Sequence, residues 1–99
     1  MTQQGATEYG GRMTARGIRM DVRDNVAVVT TDVKVGETVV LDDGTEVKAV
    51  ETIPRGGKVA LAPIARGEPV LRYGKEIGLA TQAIATGQHV HTHNLGGKG

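Results

Sequence analysis

All three histidines of the chain, His89, His91 and His93, fall in one stretch, Gly87-Gln88-His89-Val90-His91-Thr92-His93-Asn94. Imidazoles titrate near neutral pH and are common metal ligands, so the stretch points to metal binding or proton transfer. On an extended strand alternate residues share a face, which would set the three rings on one side and Val90 and Thr92 on the other. At roughly 3.3 Å of rise per residue, the outer rings stand about 13 Å apart on a straight strand. Ligand nitrogens lie only about 2.0–2.1 Å from a zinc-like ion. One ion therefore reaches His89 with His91, or His91 with His93, and all three only if the strand bends sharply. His91 belongs to both pairs and is the first choice. The nearest acid in sequence is Glu76, so further ligands must come from elsewhere in the fold, from a second chain or from substrate. A solvated strand end, or a metal binder without a role, is the plain alternative for such a run.

Composition excludes several other classes. Twelve basic and eleven acidic residues are spread along the chain for a net charge of +1, and the aromatic residues are Tyr9 and Tyr73 alone. Neither a phosphate-tracking surface nor a base-stacking platform can be built from these, so no nucleic acid is expected as partner. No cysteine is present, which removes disulfides, iron–sulfur ligation and thiolate chemistry. No apolar run is as long as a signal-peptide core or a membrane span, so no membrane is expected and the location is read as cytoplasmic.

The elements that must position the histidines are strands. The 99 residues suit one domain. Residues 1–17 are polar and Gly-rich and read as a flexible tail, 18–95 as the domain, and 96–99 as a flexible end. The apolar residues are nearly all Val, Ile, Leu and Ala, which favours a mostly β fold. Strand-sized stretches occur at 26–29, 38–41, 47–50, 58–61, 70–73 and 89–91. Asp42-Asp43-Gly44-Thr45 is a hairpin turn by composition. One short helical turn is expected after Pro63. A repeat underlies the stretches: an apolar anchor, two residues, a Gly, two residues and a Val. It recurs from Val33, Ile53, Ile64 and Ile84. The anchor should be buried, the Gly left-handed and the Val inward. The first unit precedes the third by 31 positions, as the second precedes the fourth, which suggests two similar halves.

Ordered segments then carry a resemblance. They are Asp24-Asn25-Val26-Ala27-Val28, Ile53-Pro54-Arg55-Gly56-Gly57-Lys58-Val59-Ala60-Leu61, Ile64-Ala65-Arg66-Gly67-Glu68-Pro69-Val70, Tyr73-Gly74 with Ile77-Gly78, and the closing segment from Gly87 to Asn94. Over about residues 21–95 the chain resembles the N-terminal SAF-type, β-clip domain of the altronate dehydratase family, with galactarate dehydratases and the small subunit of sulfolactate sulfo-lyase as relatives. The resemblance implies the small subunit or N-terminal domain of a lyase, inactive alone and completed by a larger catalytic partner. Such enzymes remove water, or sulfite, from 2-hydroxy or sugar acids with a divalent metal, Fe(II) or similar. A weakly acidic proton beside a carboxylate must leave, which calls for a cation, a general base and a positive group for the carboxylate.

Carried over by position, His89, His91 and His93 become metal-ligand candidates, and His91, His93 and Lys58 catalytic candidates. Asn94, Lys58 and Arg55 become substrate-binding candidates. The family usually has His just before that Lys, where this chain has Gly57. Asp24, Asn25 and Tyr73-Gly74 are read as mainly structural. The alternative function is a non-catalytic SAF module for assembly or for binding carbohydrates or acids. Scarce aromatics disfavour sugar stacking, while Lys58, Arg55 and Arg72 leave polar recognition of acids open.

Overall fold

A computed structural model describes residues 14–97, and every regular element among them is a strand. In chain order these are β1 (Thr14–Ile18), β2 (Val26–Val29), β3 (Thr38–Leu41), β4 (Glu46–Lys48), β5 (Lys58–Ala60), β6 (Pro69–Arg72), β7 (Lys75–Ala80), β8 (His89–Val90) and β9 (Leu95–Gly96). The fold is mostly β, as its β-branched composition requires. One sheet has the order β4-β3-β1-β2-β5-β8 and the other β9-β7-β6. Among the described residues only β1 with β3 pairs in parallel. The β3–β4 hairpin turns at Gly44, whose φ of 90° is the left-handed geometry that an Asp-Gly turn requires.

Two aliphatic cores result. Ala27, Val29, Val39, Ile53 and Val59 belong to the first, and Val26, Ala60, Val70, Ile84 and Val90 to the second. Strands β2 and β5 feed both, which is why Val26–Val29 is a continuous apolar run and not an alternating one. Asp24 and Asn25 join the sheets. Both oxygens of the buried Asp24 carboxylate accept, from the N–H of Tyr73 (2.9 Å) and of Gly74 (2.7 Å). Asn25 donates to the Pro69 carbonyl (3.0 Å) and accepts from the Leu71 N–H (2.8 Å).

Every repeat unit is built as its residues demand. The anchors Val33, Ile53, Ile64 and Ile84 are buried, and Val33 bridges Ile53 as Ile64 bridges Ile84. Gly36, Gly56, Gly67 and Gly87 close the turns at φ between 87° and 91°. Val39, Val59, Val70 and Val90 follow with no exposed surface. The hydrogen bonds recur as well. Gly36 N–H to Ala49 C=O returns as Gly67 to Ala80, and Gly56 N–H to Val29 C=O returns as Gly87 to Ala60. The pairing of Ala27 with Val59 returns as that of Lys58 with Val90. Strand β5 therefore closes the first half and opens the second.

Three local features differ from the sequence reading. Strand β1 starts at Thr14, inside the segment read as tail, and its inward residues, Ala15 and Gly17, are too small to show an apolar period. Strand β9 likewise enters the segment read as a flexible end, so Gly96 is paired with Leu79. The rest of both readings, residues 1–13 and 98–99, lies outside the described residues. After Pro63 there is no helical turn. Ile64 exchanges both backbone hydrogen bonds with Ile84, at 2.9 and 2.8 Å, and a Gly67 turn follows.

Candidate functional site

Strand β8 lasts two residues, and this brevity shapes the histidine cluster. After Val90 the chain turns, and the His91 carbonyl accepts from the N–H groups of Asn94 (3.0 Å) and Leu95 (2.8 Å). The straight extension that would hold the outer rings apart stops there. His89 and His91 stack with centroids 5.2 Å apart and planes at 24°, and His93 tilts toward His89 at 6.1 Å and 57°. The ring shared by both pairs is therefore His89 and not His91, because the turn folds His91 and His93 back upon it.

His89 is half-buried while His91 and His93 are exposed. Its Nε2 is enclosed and has no hydrogen-bond partner. Desolvation, followed by the His91 charge, pushes its pKa below the ordinary imidazole value; Glu51 opposes this, and His93 and Lys58 add to it. The acid brought within electrostatic reach is thus Glu51, 38 residues away in sequence, and not Glu76, which lies in the other sheet. No sequence signal marks Glu51. Among the described residues, no group of three or more His, Cys, Asp or Glu side chains is arranged to hold an ion.

Asn94 fixes the cluster from within. It is 2 % exposed; its Oδ1 accepts from the His91 N–H (2.9 Å) and its Nδ2 donates to the His89 carbonyl (2.9 Å). These backbone groups flank Val90, whose cross-strand partner is Lys58. The amide thus occupies the sheet edge as another strand would, and it faces inward, positioning the two rings.

Gly57 lies against the orphaned nitrogen. A β-carbon there would stand 2.9 Å from Ile53 Cγ2, 2.9 Å from the Pro54 carbonyl and 3.0 Å from His89 Nε2. The local chemistry explains why a glycine serves. In the other three units the residue at this position accepts a backbone N–H: Glu37 from Lys34 (2.8 Å), Glu68 from Ala65 (2.8 Å) and Gln88 from Ala85 (2.6 Å). In the second unit the donor position is Pro54, which has no N–H to satisfy.

Lys58 leaves the β5–β8 ribbon on its other face. Directly paired residues share a face, and His89 pairs with Val59 while Lys58 pairs with Val90. His89 thus lies toward the first core and Lys58 toward the second. Lys58 is half-buried, and desolvation followed by the Arg72 charge lowers its pKa. Arg55 is exposed in the turn beside Gly57, its own N–H held by Asp32 Oδ1 at 2.9 Å. The structure brings the histidines and Asn94 together, with Gly57 beside them, and sets Lys58 apart.

Residues 15–98 match the altronate/galactarate dehydratase SAF domain. The altronate dehydratase of Escherichia coli is 44% identical over 77 residues, covering 78% of this chain and 15% of that protein. The galactarate dehydratase (L-threo-forming) of the same organism is 38% identical over 77 residues, 78% of this chain and 14% of its own length. The (2R)-sulfolactate sulfo-lyase subunit alpha of Chromohalobacter salexigens is 37% identical over 81 residues, 76% of this chain and 86% of that subunit. The chain thus spans a small part of the dehydratases and nearly the whole of the sulfo-lyase subunit. By the extent of these matches it belongs to the altronate/galactarate dehydratase SAF-domain family.

Proposed function

We propose that this chain is the small subunit, or the N-terminal domain, of a lyase that eliminates water or sulfite from a 2-hydroxy or sugar acid, and that it is inactive alone. The observation that carries this reading is the His89 ring, with its Nε2 unpartnered and two further imidazoles gathered against it at the closing segment. The near-complete coverage of a relative called subunit alpha supports a separate, larger partner.

A divalent metal such as Fe(II) fits these residues in part. His89, with His91 or His93, would hold one side of it, and the partner or the substrate would supply the rest. When bound, such an ion supplies positive charge where the acid's carboxylate must be stabilised. The side chains of this chain have their own parts. Burial disfavours the charged form of the His89 ring, and a neutral imidazole is the form that ligates or accepts a proton once its nitrogen is uncovered. His91 and His93 are exposed to an approaching substrate and suit proton transfer. Asn94 holds the rings in place, and Arg55 meets acid groups from outside.

The test is reconstitution. The untagged chain is assayed alone and with a large dehydratase or sulfo-lyase subunit on altronate, galactarate and sulfolactate. Activity is expected only in the complex, and to fall by about a hundredfold or more in His91→Ala, the usual contribution of an acid–base group. Full activity in that variant would remove the histidines from the chemistry. Turnover by the lone chain would remove the shared site.

A further inference from the structure

Among the described residues Tyr73 is the one non-glycine with a left-handed backbone. It and Gly74, at φ of 60° and 70°, form the two-residue turn between Arg72 and Lys75, which pair across the β6–β7 hairpin. Two consecutive left-handed residues make a type I′ turn, whose first position suits Asn, Asp or Gly. A bulky side chain there is an outlier, and such strain persists only where the surroundings enforce it. The buried Asp24 carboxylate enforces it by accepting from both turn N–H groups. Those bonds use the backbone alone, so Tyr73→Asn would keep them. The first half of the fold shows that a hairpin here needs no such strain. Asp42 stands 31 positions before Tyr73, in the four-residue loop between β3 and β4, where the left-handed residue is Gly44. The turn thus gives no reason for a tyrosine, and the ring must. It is 57% exposed and lies 5.1 Å from the Arg72 guanidinium carbon, a contact that restrains its direction.

A second turn abuts the first. Asp24 N–H donates to the Asp21 carbonyl (3.0 Å), and Val22 sits at that corner with 84% of its surface exposed. Arg19 braces the turn by donating to the Val22 (3.0 Å) and Asp24 (3.2 Å) carbonyls. A β-carbon on Gly74 would stand 2.5 Å from the Arg23 guanidinium and 3.1 Å from the Asp21 carboxylate, so the two turns touch. Together they make a braced, convex tip with an apolar residue on each turn. Small-molecule sites are concave. Tyr and Arg on a rigid protrusion are the residues that anchor protein interfaces.

Charge narrows the choice of partner. Asp21 is paired with Arg23 at 2.9 Å, and Asp24 is sealed beneath the Tyr73 turn. Arg72 and Lys75 stand opposite each other on one face of the hairpin, and neither joins a salt bridge among the described residues. Glu76 pairs with Leu71 and so lies on the other face. A two-fold pair of copies would bring these cations together, whereas an acidic surface would match them. The tip precedes the six-residue β7, while Thr81, just past its far end, donates to the carbonyl of Asn94. The tip is therefore roughly 20 Å from the histidine turn along the strand. That separation fits within one interface of standard size, about 800 Å² on each partner.

We propose that Val22 and Tyr73, flanked by Arg72 and Lys75, anchor the larger lyase chain through an apolar pocket with an acidic rim on that chain. The anchor follows from the geometry of this chain, and only the identity of the partner rests on the proposed function.

The test is the affinity of the intact chain for the large dehydratase or sulfo-lyase subunit, measured by calorimetry and apart from turnover. Tyr73→Asn should weaken association about tenfold or more, as for the loss of an interface anchor. The urea midpoint of the lone chain should stay or rise in the same variant, because Asn-Gly suits the turn. Tyr73→Phe keeps the ring and should bind as the unaltered chain does. Val22→Ser and Lys75→Glu should each weaken association severalfold, and Val35→Ser, at an exposed apolar residue of the first repeat unit, should leave it unchanged. Undiminished affinity in Tyr73→Asn would overturn the anchor and leave the lyase reading intact. A lowered urea midpoint would make the ring a fold residue and overturn it too. Binding to phosphatidylserine vesicles, or dimerisation of the lone chain, that is lost in Tyr73→Asn would assign the tip another occupant and overturn it likewise. No association of the unaltered chain would overturn the anchor and the shared site together. An inactive complex that still depends on Tyr73 would uphold the anchor and remove the lyase activity alone.

Discussion

Lys58 and His89 occupy the same place in the duplicated fold, 31 positions apart. Each comes two residues after a left-handed glycine, opens a strand and precedes a fully buried valine. Each is half-buried, and desolvation is the first cause lowering its pKa. Their surroundings differ because β5 lies inside its sheet, between β2 and β8, whereas β8 is the edge. After Lys58 the chain continues through Val59 and Ala60 between two cores. After His89 the strand ends and a turn brings two more imidazoles back. Duplication thus set the backbone, and the edge position made one copy a candidate site. Asn94 belongs to the same difference. Its counterpart in the first copy is Pro63, which has no amide side chain, and an interior strand has no open edge to cap.

The largest expected effect tests how far the copies are equivalent. Gly56 and Gly87 share a left-handed φ, of 87° and 90°. A β-carbon at Gly56 meets nothing within 4 Å, but at Gly87 it would collide with the Lys48 carbonyl. Gly56→Ala should therefore cost about 1–2 kcal/mol, the left-handed penalty alone. Gly87→Ala should cost about 3 kcal/mol or more, because the backbone must also move. Urea unfolding of the two variants measures the gap. Equal losses would show that β8 and its turn are loosely held, and the cluster geometry with them.

Next in size is the cap. Asn94→Ala removes two hydrogen bonds from buried surroundings and should cost about 2–3 kcal/mol. It should also release His91 from His89, visible as loss of ring contacts between them by NMR. The loss of stability without that release would make Asn94 a fold residue only.

Much of this was legible in the residues. The anchor, glycine and valine pattern marked all four units, since each of those residue types answers a local demand: burial, positive φ, an inward strand position. Asp24 and Asn25 were likewise readable as structural. Strand β7, Lys75–Ala80, left no such trace, because its buried positions are Gly78 and Ala80. The site was less legible. The histidines were evident by type, but their separation depended on where β8 ends, and the turn that ends it is fixed by Asn94 and Leu95 through backbone hydrogen bonds. The split between Lys58 and His89 follows from strand register, which residue type alone does not reveal.

The smallest effect separates the two copies by pH. His89 has a pKa lowered from the ordinary 6.5, so its charged form is disfavoured in the fold. The unfolded chain therefore takes up the proton first as pH falls. Above 6.5 both states are neutral and the group contributes nothing. Below it the fold loses stability until the folded histidine is also protonated, and the loss then stops growing. Lys58 follows the same sign in a higher window that opens below 10.5. His89→Gln should therefore flatten the fall in unfolding free energy between about pH 7 and pH 5, and Lys58→Gln should leave that fall alone while altering the alkaline limb. The measurement is the urea midpoint across pH for both variants. An unchanged acid limb in His89→Gln would mean that the ring is as well solvated as His91 and His93, and the contrast between the copies would reduce to side-chain type.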